Sequence, residues 1–321
     1  MKEVLIIGAG KRVMGGILPA LWCLQKTHRV AGVIARSERH ISLMDGRMQI
    51  TTKTSLDTID LTRVSVVMVA VPIPEVASVL RMLSRHPLKH ATLMLDTPIL
   101  PFSALASMRF FSRFKDVRAS EDVIALPPYL LAKHIAREQN LGAVREAALF
   151  HSGYRYHAVA AMRTLADSPV RSIRHTRYPR GVSRKTFQFM SGASGVLYEP
   201  RDYERGSFVV RYERGIIADS TYEPATHHIG YVREGAVYRG LTLNDVPVPA
   251  TGLDIPYLDH IGSSIPEASL MNTMKVRALM ELIVCADAQA PWRYPAGRSV
   301  VDNALIVGSE RLGSAWSGLL Y

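Results

Sequence analysis

Residues with the types and spacing to do chemistry fall in three places along this 321-residue chain. The first is Gly8-Ala9-Gly10, followed by Lys11, Arg12 and Val13. Glycines two apart let a backbone turn tightly and approach a phosphate closely, and a helix opening behind them adds N–H groups and the positive end of its dipole. The second is Arg36-Ser37-Glu38-Arg39, two guanidinium forks beside a hydroxyl, which suits a phosphate monoester. The third is Tyr154-Arg155-Tyr156-His157. An imidazole titrating near neutral pH can exchange a proton there, the phenols can donate to a ligand, and Arg155 can hold an anionic group. The competing reading of this third stretch is a helix start whose polar residues face solvent.

The elements around these residues give them positions. Val4-Leu5-Ile6-Ile7 is too short for a helix and suits a strand buried on both faces. Ile17, Leu18, Ala20, Leu21 and Leu24 then repeat as one helix face, and Val30 to Ala35 forms a second apolar run. Strand, glycine turn, helix and strand make the first half of a dinucleotide-binding unit, with Gly8, Gly10, Lys11, Arg12 and Val13 at the pyrophosphate. The strict fingerprint places its third glycine three residues after the second; Val13 stands there and Gly15-Gly16 follow. A plain strand-to-helix turn is the alternative. An NAD site usually carries Asp or Glu at the tip of the second strand. Arg36, Ser37 and Arg39 replace it here, so NADP is expected in preference to NAD. Arg36 as a solvated loop charge is the competing reading.

Farther on, Val64–Val71, Ala91–Leu95 and Val117–Val123 read as strands, alternating with helical patterns from Val76 and over Phe102–Phe114. Such alternation predicts a doubly wound parallel sheet whose ligand lies outside the strands' carboxyl ends, where Glu121 and Asp122 offer carboxylates. Beyond residue 123 the pattern changes. A helix is expected from Pro127 to about Asn140, carrying Lys133 as a candidate substrate contact, then a strand over Ala143–Phe150 and a helix over Tyr154–Leu165. Phe208–Tyr212 with Ile216–Ser220, and Ile229–Val232 with Ala236–Leu241, flank Arg-Gly and Glu-Gly turns and imply antiparallel pairing with a solvated face. The last clear helix pattern is Ser269–Ala288. The expected fold is α/β: an N-terminal Rossmann domain over 1–123, and a C-terminal α+β domain over 124–321 with an open-faced, mostly antiparallel sheet.

Composition narrows the function classes. Hydrophobic content of 48% and charged content of 21% are ordinary for a globular chain, and no apolar run is long enough to span a bilayer. With Met1 leading directly into the first strand, no secretory leader is expected, and the protein is read as cytoplasmic without membrane attachment. Cys23 and Cys285 lie in apolar helical patterns, and no residue group has metal-ligand spacing, so no metal is expected. The net charge of +11 concentrates only in Arg171 to Lys185, expected as an exposed loop. That stretch has one aromatic residue, Tyr178, and no alternation of stacking platforms with charge, which argues against nucleic acid as a partner.

The order of Gly8-x-Gly10, Leu18-Pro19-Ala20-Leu21, Val71-Pro72, Asp96-Thr97-Pro98 and a later Tyr-x-His resembles the Gfo/Idh/MocA family of NAD(P)-dependent oxidoreductases. The likeness runs motif by motif over about residues 4–165. It implies a Rossmann domain followed by an open-faced sheet that carries substrate and joins subunits into a homodimer or homotetramer. It also implies cofactor contacts from Val71, Pro72, Asp96 and Pro98. The family's Glu-Lys-Pro motif places a catalytic lysine near nicotinamide and substrate; Thr97 stands at that position here. A hydroxyl cannot replace an ammonium as proton donor to a carbonyl oxygen, though it can still bind a ligand. The family's Asp-x-x-x-His is matched only at His157, with Gly153 in place of the acid. Relatives such as biliverdin reductases also lack the lysine and reduce a conjugated substrate. The expected catalytic group is therefore His157, Tyr156 and Thr97, with Tyr154, Arg155, Glu121 and Lys133 toward a small anionic metabolite. The expected reaction is hydride transfer to C=O, C=N or conjugated C=C. The alternative is a non-catalytic dinucleotide-binding sensor or partner subunit.

Overall fold

The computed structural model describes all residues except 203–205, 220–223, 235–236, 250–269, 289–293 and 318–321. Ser220, Gly235, Ala236 and Ser269, which bounded expected elements, lie outside the described residues. Contacts divide the chain into two units, the first holding Met1–Asp122 and Asn272–Val300.

In the first unit, β1 (Lys2–Ile7) and β2 (His28–Ile34) are followed by a hairpin of β3 (His40–Leu43) and β4 (Met48–Thr51), then β5 (Val64–Val69), β6 (Thr92–Asp96) and β7 (Asp116–Ser120). The five longer-range strands form the expected parallel sheet in the order β2-β1-β5-β6-β7. Val4, Leu5, Ile6, Val66, Val67 and Leu93 are fully buried, as strands covered on both faces require. Each such side chain contributes about 1.5–3 kcal/mol by leaving water. Strand order reverses between β1 and β5, so the ligand crevice of this sheet type opens beyond the end of β1. The helix behind β1 passes through a π-turn at Val13–Ile17 before continuing as α1 (Leu18–Cys23), and α2 (Ile73–Leu83) follows β5. Residues 40–51 form the β3–β4 hairpin. One local expectation is corrected: Phe102–Arg113 forms 3-10 turns instead of an α-helix. No side chain of that segment is buried, so no apolar stripe favours the wider helix.

The second unit is built on α3 (Pro127–Glu138), β8 (Val144–Phe150), α4 (Arg155–Ala166), β9 (Val170–Arg177), β10 (Ser183–Phe189), β11 (Ser194–Glu199), β12 (Ser207–Tyr212), β13 (Ile216–Ala218), β14 (His227–Glu234), β15 (Val237–Leu243) and β16 (Val246–Pro247). With β17 (Ser314–Trp316) these strands make one sheet in the order β16-β15-β14-β13-β12-β8-β11-β10-β9-β17. Among the described residues only the strand pairs β8–β11 and β13–β14 run in parallel, so the sheet is mostly antiparallel as expected. One face, with Leu149, Leu197, Phe187 and Phe208, is buried; Tyr129 of α3 meets the Phe208 ring edge-on at 5.1 Å. The basic stretch 171–185 is corrected from an exposed loop to the β9–β10 hairpin, with Ile173 and Lys185 buried.

α5 (Leu270–Ala288) returns to the first unit. Thr92 donates to the Ala286 carbonyl (3.3 Å), Arg118 donates to that of Cys285 (2.9 Å), and Leu279 lies against Gly16. α6 (Ala296–Leu312), which the sequence pattern did not reveal, places Asp302 against Arg163 of α4 in the second unit. Among the described residues, no helix is long and apolar enough to cross a membrane.

Candidate functional site

The end of β1 is shaped by a backbone that only glycine accepts. Gly8 has φ +115°, and a Cβ there would fall 2.2 Å from the Ala70 carbonyl oxygen at the end of β5. Its N–H donates to Ile34 at the end of the edge strand β2 (2.8 Å), so Gly8 links the ends of β1 and β2 where the end of β5 comes closest. At Gly10, by contrast, an added Cβ would meet nothing within 4 Å. The N–H groups of Val13 and Met14 both donate to the Gly10 carbonyl, which makes Gly10 the residue capping the helix. The space beside Gly10 is thus open, at the N-terminal end of a helix, where the helix dipole favours an anion. Lys11 is exposed and Val13 is buried under the turn. These features fit a dinucleotide pyrophosphate.

Arg12 points the other way. Its guanidinium donates to Asp122 (2.6 Å), Asp96 (3.2 Å) and the Ser120 carbonyl (3.4 Å), joining the helix start to the carboxyl ends of β6 and β7. Burial alone would lower its pKa, but Asp122 and Asp96 more than offset that and hold the guanidinium charged. Beside this clamp, Thr97 donates its hydroxyl to Glu121 (2.9 Å). Glu121 and Asp122 are both buried, and the peptide between Thr97 and Pro98 is cis. Val71 and Pro72 lie at the start of α2, with Pro72 exposed.

At the tip of β2, Arg36 is exposed and pairs with Glu75 in the first turn of α2 (2.6 Å). Ser37 accepts a bond from Thr52 at its carbonyl (2.8 Å), while Arg39 donates to the Ala9 carbonyl inside the glycine turn. Arg39 therefore shapes the turn, and Arg36 and the Ser37 hydroxyl stand at its outer edge.

In the second unit, Tyr154 is exposed and precedes α4, while Arg155, Tyr156 and His157 form its first turn. The Tyr156 and His157 rings lie 4.3 Å apart, tilted at 54°. Arg155 donates through its guanidinium to Glu310 (2.8 Å) and through its backbone N–H to Glu199 (3.1 Å). Lys133, on α3, pairs with Asp167 at the end of α4 (2.6 Å). The structure thus gathers Gly8, Gly10, Arg12, Arg39, Asp96, Thr97 and Glu121 at one edge of the parallel sheet, and Tyr154, Arg155, Tyr156 and His157 at one helix start. Sequence reasoning missed Lys185, Glu199 and Glu310. No local signal marks them, because each partner lies in a different element.

No protein-family model matches the sequence, and no curated protein matches it. Solved structures do match. An oxidoreductase from Agrobacterium radiobacter in complex with NAD+, L-tartaric acid and magnesium superposes with a TM-score of 0.67 at 11% identity, covering 100% of this chain and 99% of the other. A levoglucosan dehydrogenase in complex with NADH and L-sorbose gives 0.67 at 12% identity, covering 99% of each chain. GenD2 from gentamicin A biosynthesis, in complex with NAD, gives 0.64 at 15% identity, covering 98% of this chain and 96% of the other. The chain shares, over its whole length, the two-unit fold of these proteins.

Proposed function

We propose that this chain is a nicotinamide-dinucleotide-dependent oxidoreductase of the Gfo/Idh/MocA type, reducing a small anionic metabolite. The observation that carries the reading is the turn at the end of β1. Gly8 takes a conformation reserved for glycine, and Gly10 leaves open the space that a pyrophosphate needs. The NAD and NADH complexes of similar fold support the same choice. When bound, the cofactor supplies a hydride to a C=O, C=N or conjugated C=C carbon. The chain's own part is to bind and orient the reactants and to furnish one proton, from His157 with Tyr156 beside it. Thr97 acts as a hydrogen-bonding group supported by Glu121. NADP is the proposed form, through Arg36 and Ser37. The exposed Arg36–Glu75 pair, worth less than about 1 kcal/mol, yields to a 2′-phosphate at small cost. NAD is the alternative, supported by the Glu75 carboxylate and by the ligands of the similar structures.

Titration with NADH and NADPH, followed by deuteride transfer from C4-labelled cofactor to a panel of ketones, imines and enones, tests the proposal. Absence of binding to either nucleotide would end it. A second reading, a dinucleotide-binding sensor without turnover, is favoured by Thr97 standing where the family carries lysine. It predicts tight binding and no deuteride transfer to any acceptor.

Self-association through the sheet of the second unit is part of the proposal. On its outer face, Glu146, Ala148, Phe150, Arg184, Tyr198 and Arg211 border a cavity of about 200 Å³. A single monomeric mass in light scattering at micromolar concentration would reject it.

A further inference from the structure

Beneath α4, four charged side chains close into a ring. The Glu199 carboxylate at the end of β11 accepts from the backbone N–H of Arg155 (3.1 Å), the Ser183 hydroxyl (3.0 Å) and the ammonium of Lys185. The same ammonium lies 3.4 Å from Glu310 of α6, whose other oxygen accepts from the Arg155 guanidinium (2.8 Å). Each carboxylate thus holds Arg155 with one oxygen and Lys185 with the other. The charges balance, and Lys185 is 1% exposed. Burial alone would raise Glu199, but Lys185, the Arg155 N–H and Ser183 pull its carboxyl below the ordinary value. His175 is the register partner of Lys185 across β9–β10, and burial with the Lys185 and Arg177 charges lowers its pKa, so it adds no charge at neutral pH.

A buried ion network of this kind is a poor device for stability, because apolar residues of similar volume do as well or better. What it does here is geometric. Arg155 is the first residue of α4 and has φ +44°, a region L residues rarely occupy, so its surroundings must over-determine it. The ring grips both its main chain and its side chain. The next residues in the chain are Tyr156 and His157.

We propose that Lys185, Glu199 and Glu310 are positioning residues, which fix Arg155 and through it the orientation of the Tyr156–His157 turn. The proposal rests on the reading of His157 as proton donor, but its test needs no turnover. Two variants open the ring without stranding a buried charge: Glu310→Gln, and the charge-balanced double variant Lys185→Met with Glu199→Gln. Ala158 donates to the Tyr154 carbonyl (3.2 Å), the bond that closes the first turn. In both variants its amide exchange should quicken about tenfold or more, while Met162 to Leu165 and β8 keep wild-type protection. The His157 imidazole resonance, assigned through His157→Gln, should move, with that of His134 unchanged. Unaltered Ala158 exchange and an unmoved His157 resonance would overturn the proposal, as would uniform loss of protection along the chain. A ring that behaves as expected alongside an active His157→Ala enzyme would instead overturn only the proton-donor reading.

Discussion

The two glycines of the first turn should respond to substitution in opposite ways. Replacing Gly8 by alanine places a methyl 2.2 Å from the Ala70 carbonyl oxygen and 2.9 Å from its carbon, at φ +115°. Neither atom belongs to a flexible side chain, so β1 and β5 must separate or the residue must change conformation. The backbone conformation alone costs about 1–3 kcal/mol for a residue with a Cβ, and disturbing the β1–β5 ladder raises the total to roughly 3–5 kcal/mol. Replacing Gly10 by valine meets nothing within 4 Å. Its effect on stability should stay within about 1 kcal/mol, since its helix-capping role falls to the backbone carbonyl. The branched side chain does fill the groove proposed for the pyrophosphate, so NADPH affinity should fall by about tenfold or more. Urea unfolding and fluorescence titration of both variants separate the outcomes. A stable Gly8→Ala protein would refute the strain argument, and a Gly10→Val protein that binds normally would show that the turn is structural only.

Other perturbations test the remaining assignments. Arg36→Ala should weaken NADPH by roughly 1.5–3 kcal/mol and leave NADH unchanged, whereas Glu75→Gln should tighten NADPH; equal titration curves for the two nucleotides would sink the 2′-phosphate role. His157→Ala should lower kcat about 10²–10⁴-fold with cofactor affinity retained, and Thr97→Ala about tenfold, measured on any acceptor that accepts deuteride. Burial pushes the Asp219 carboxyl up to about 7 against the bonds it accepts from Phe208 and Tyr231. A raised carboxyl pKa means the folded state binds the proton more tightly. This contribution is fully present below about pH 4 and is lost as pH rises through about 7, with a slope approaching about 1.4 kcal/mol per pH unit. Asp219→Asn should flatten that slope in urea midpoints taken between pH 5 and 8, and an unchanged slope would contradict the assignment.

What the sequence disclosed follows from the range of the forces involved. Val4 to Ile7 and Val64 to Val69 were legible because strands buried on both faces must be continuously apolar. The open sheet of the second unit was legible through its alternation and its charged Gly turns. The β9–β10 hairpin was not, since Lys185 breaks the apolar pattern of an inward-facing edge that also carries Phe187 and Phe189. Its charge is tolerated only because Glu199 and Glu310 come from elsewhere in the chain. Arg12 shows the same limit. Its position two residues after Gly10 suggested a phosphate contact, while its partners lie 84 and 110 residues away. The displaced third glycine has a structural explanation as well. A π-turn spanning Val13–Ile17 takes up the irregular spacing, and Gly16 rather than residue 13 gives the close approach, to Leu279 of α5.

The return of α5 also governs how this protein must be made. Thr92, Arg118 and Gly16 of the parallel-sheet unit wait for Ala286, Cys285 and Leu279. At translation rates of about 5–20 residues per second, the interval between emergence of β7 and of α5 is roughly 10–30 s. Throughout that time the parallel-sheet unit is on the ribosome without one of its covering helices. A fragment ending after β7 should therefore expose apolar surface and aggregate, whereas a circular permutant that starts with α5 and delivers it first should shorten the vulnerable period.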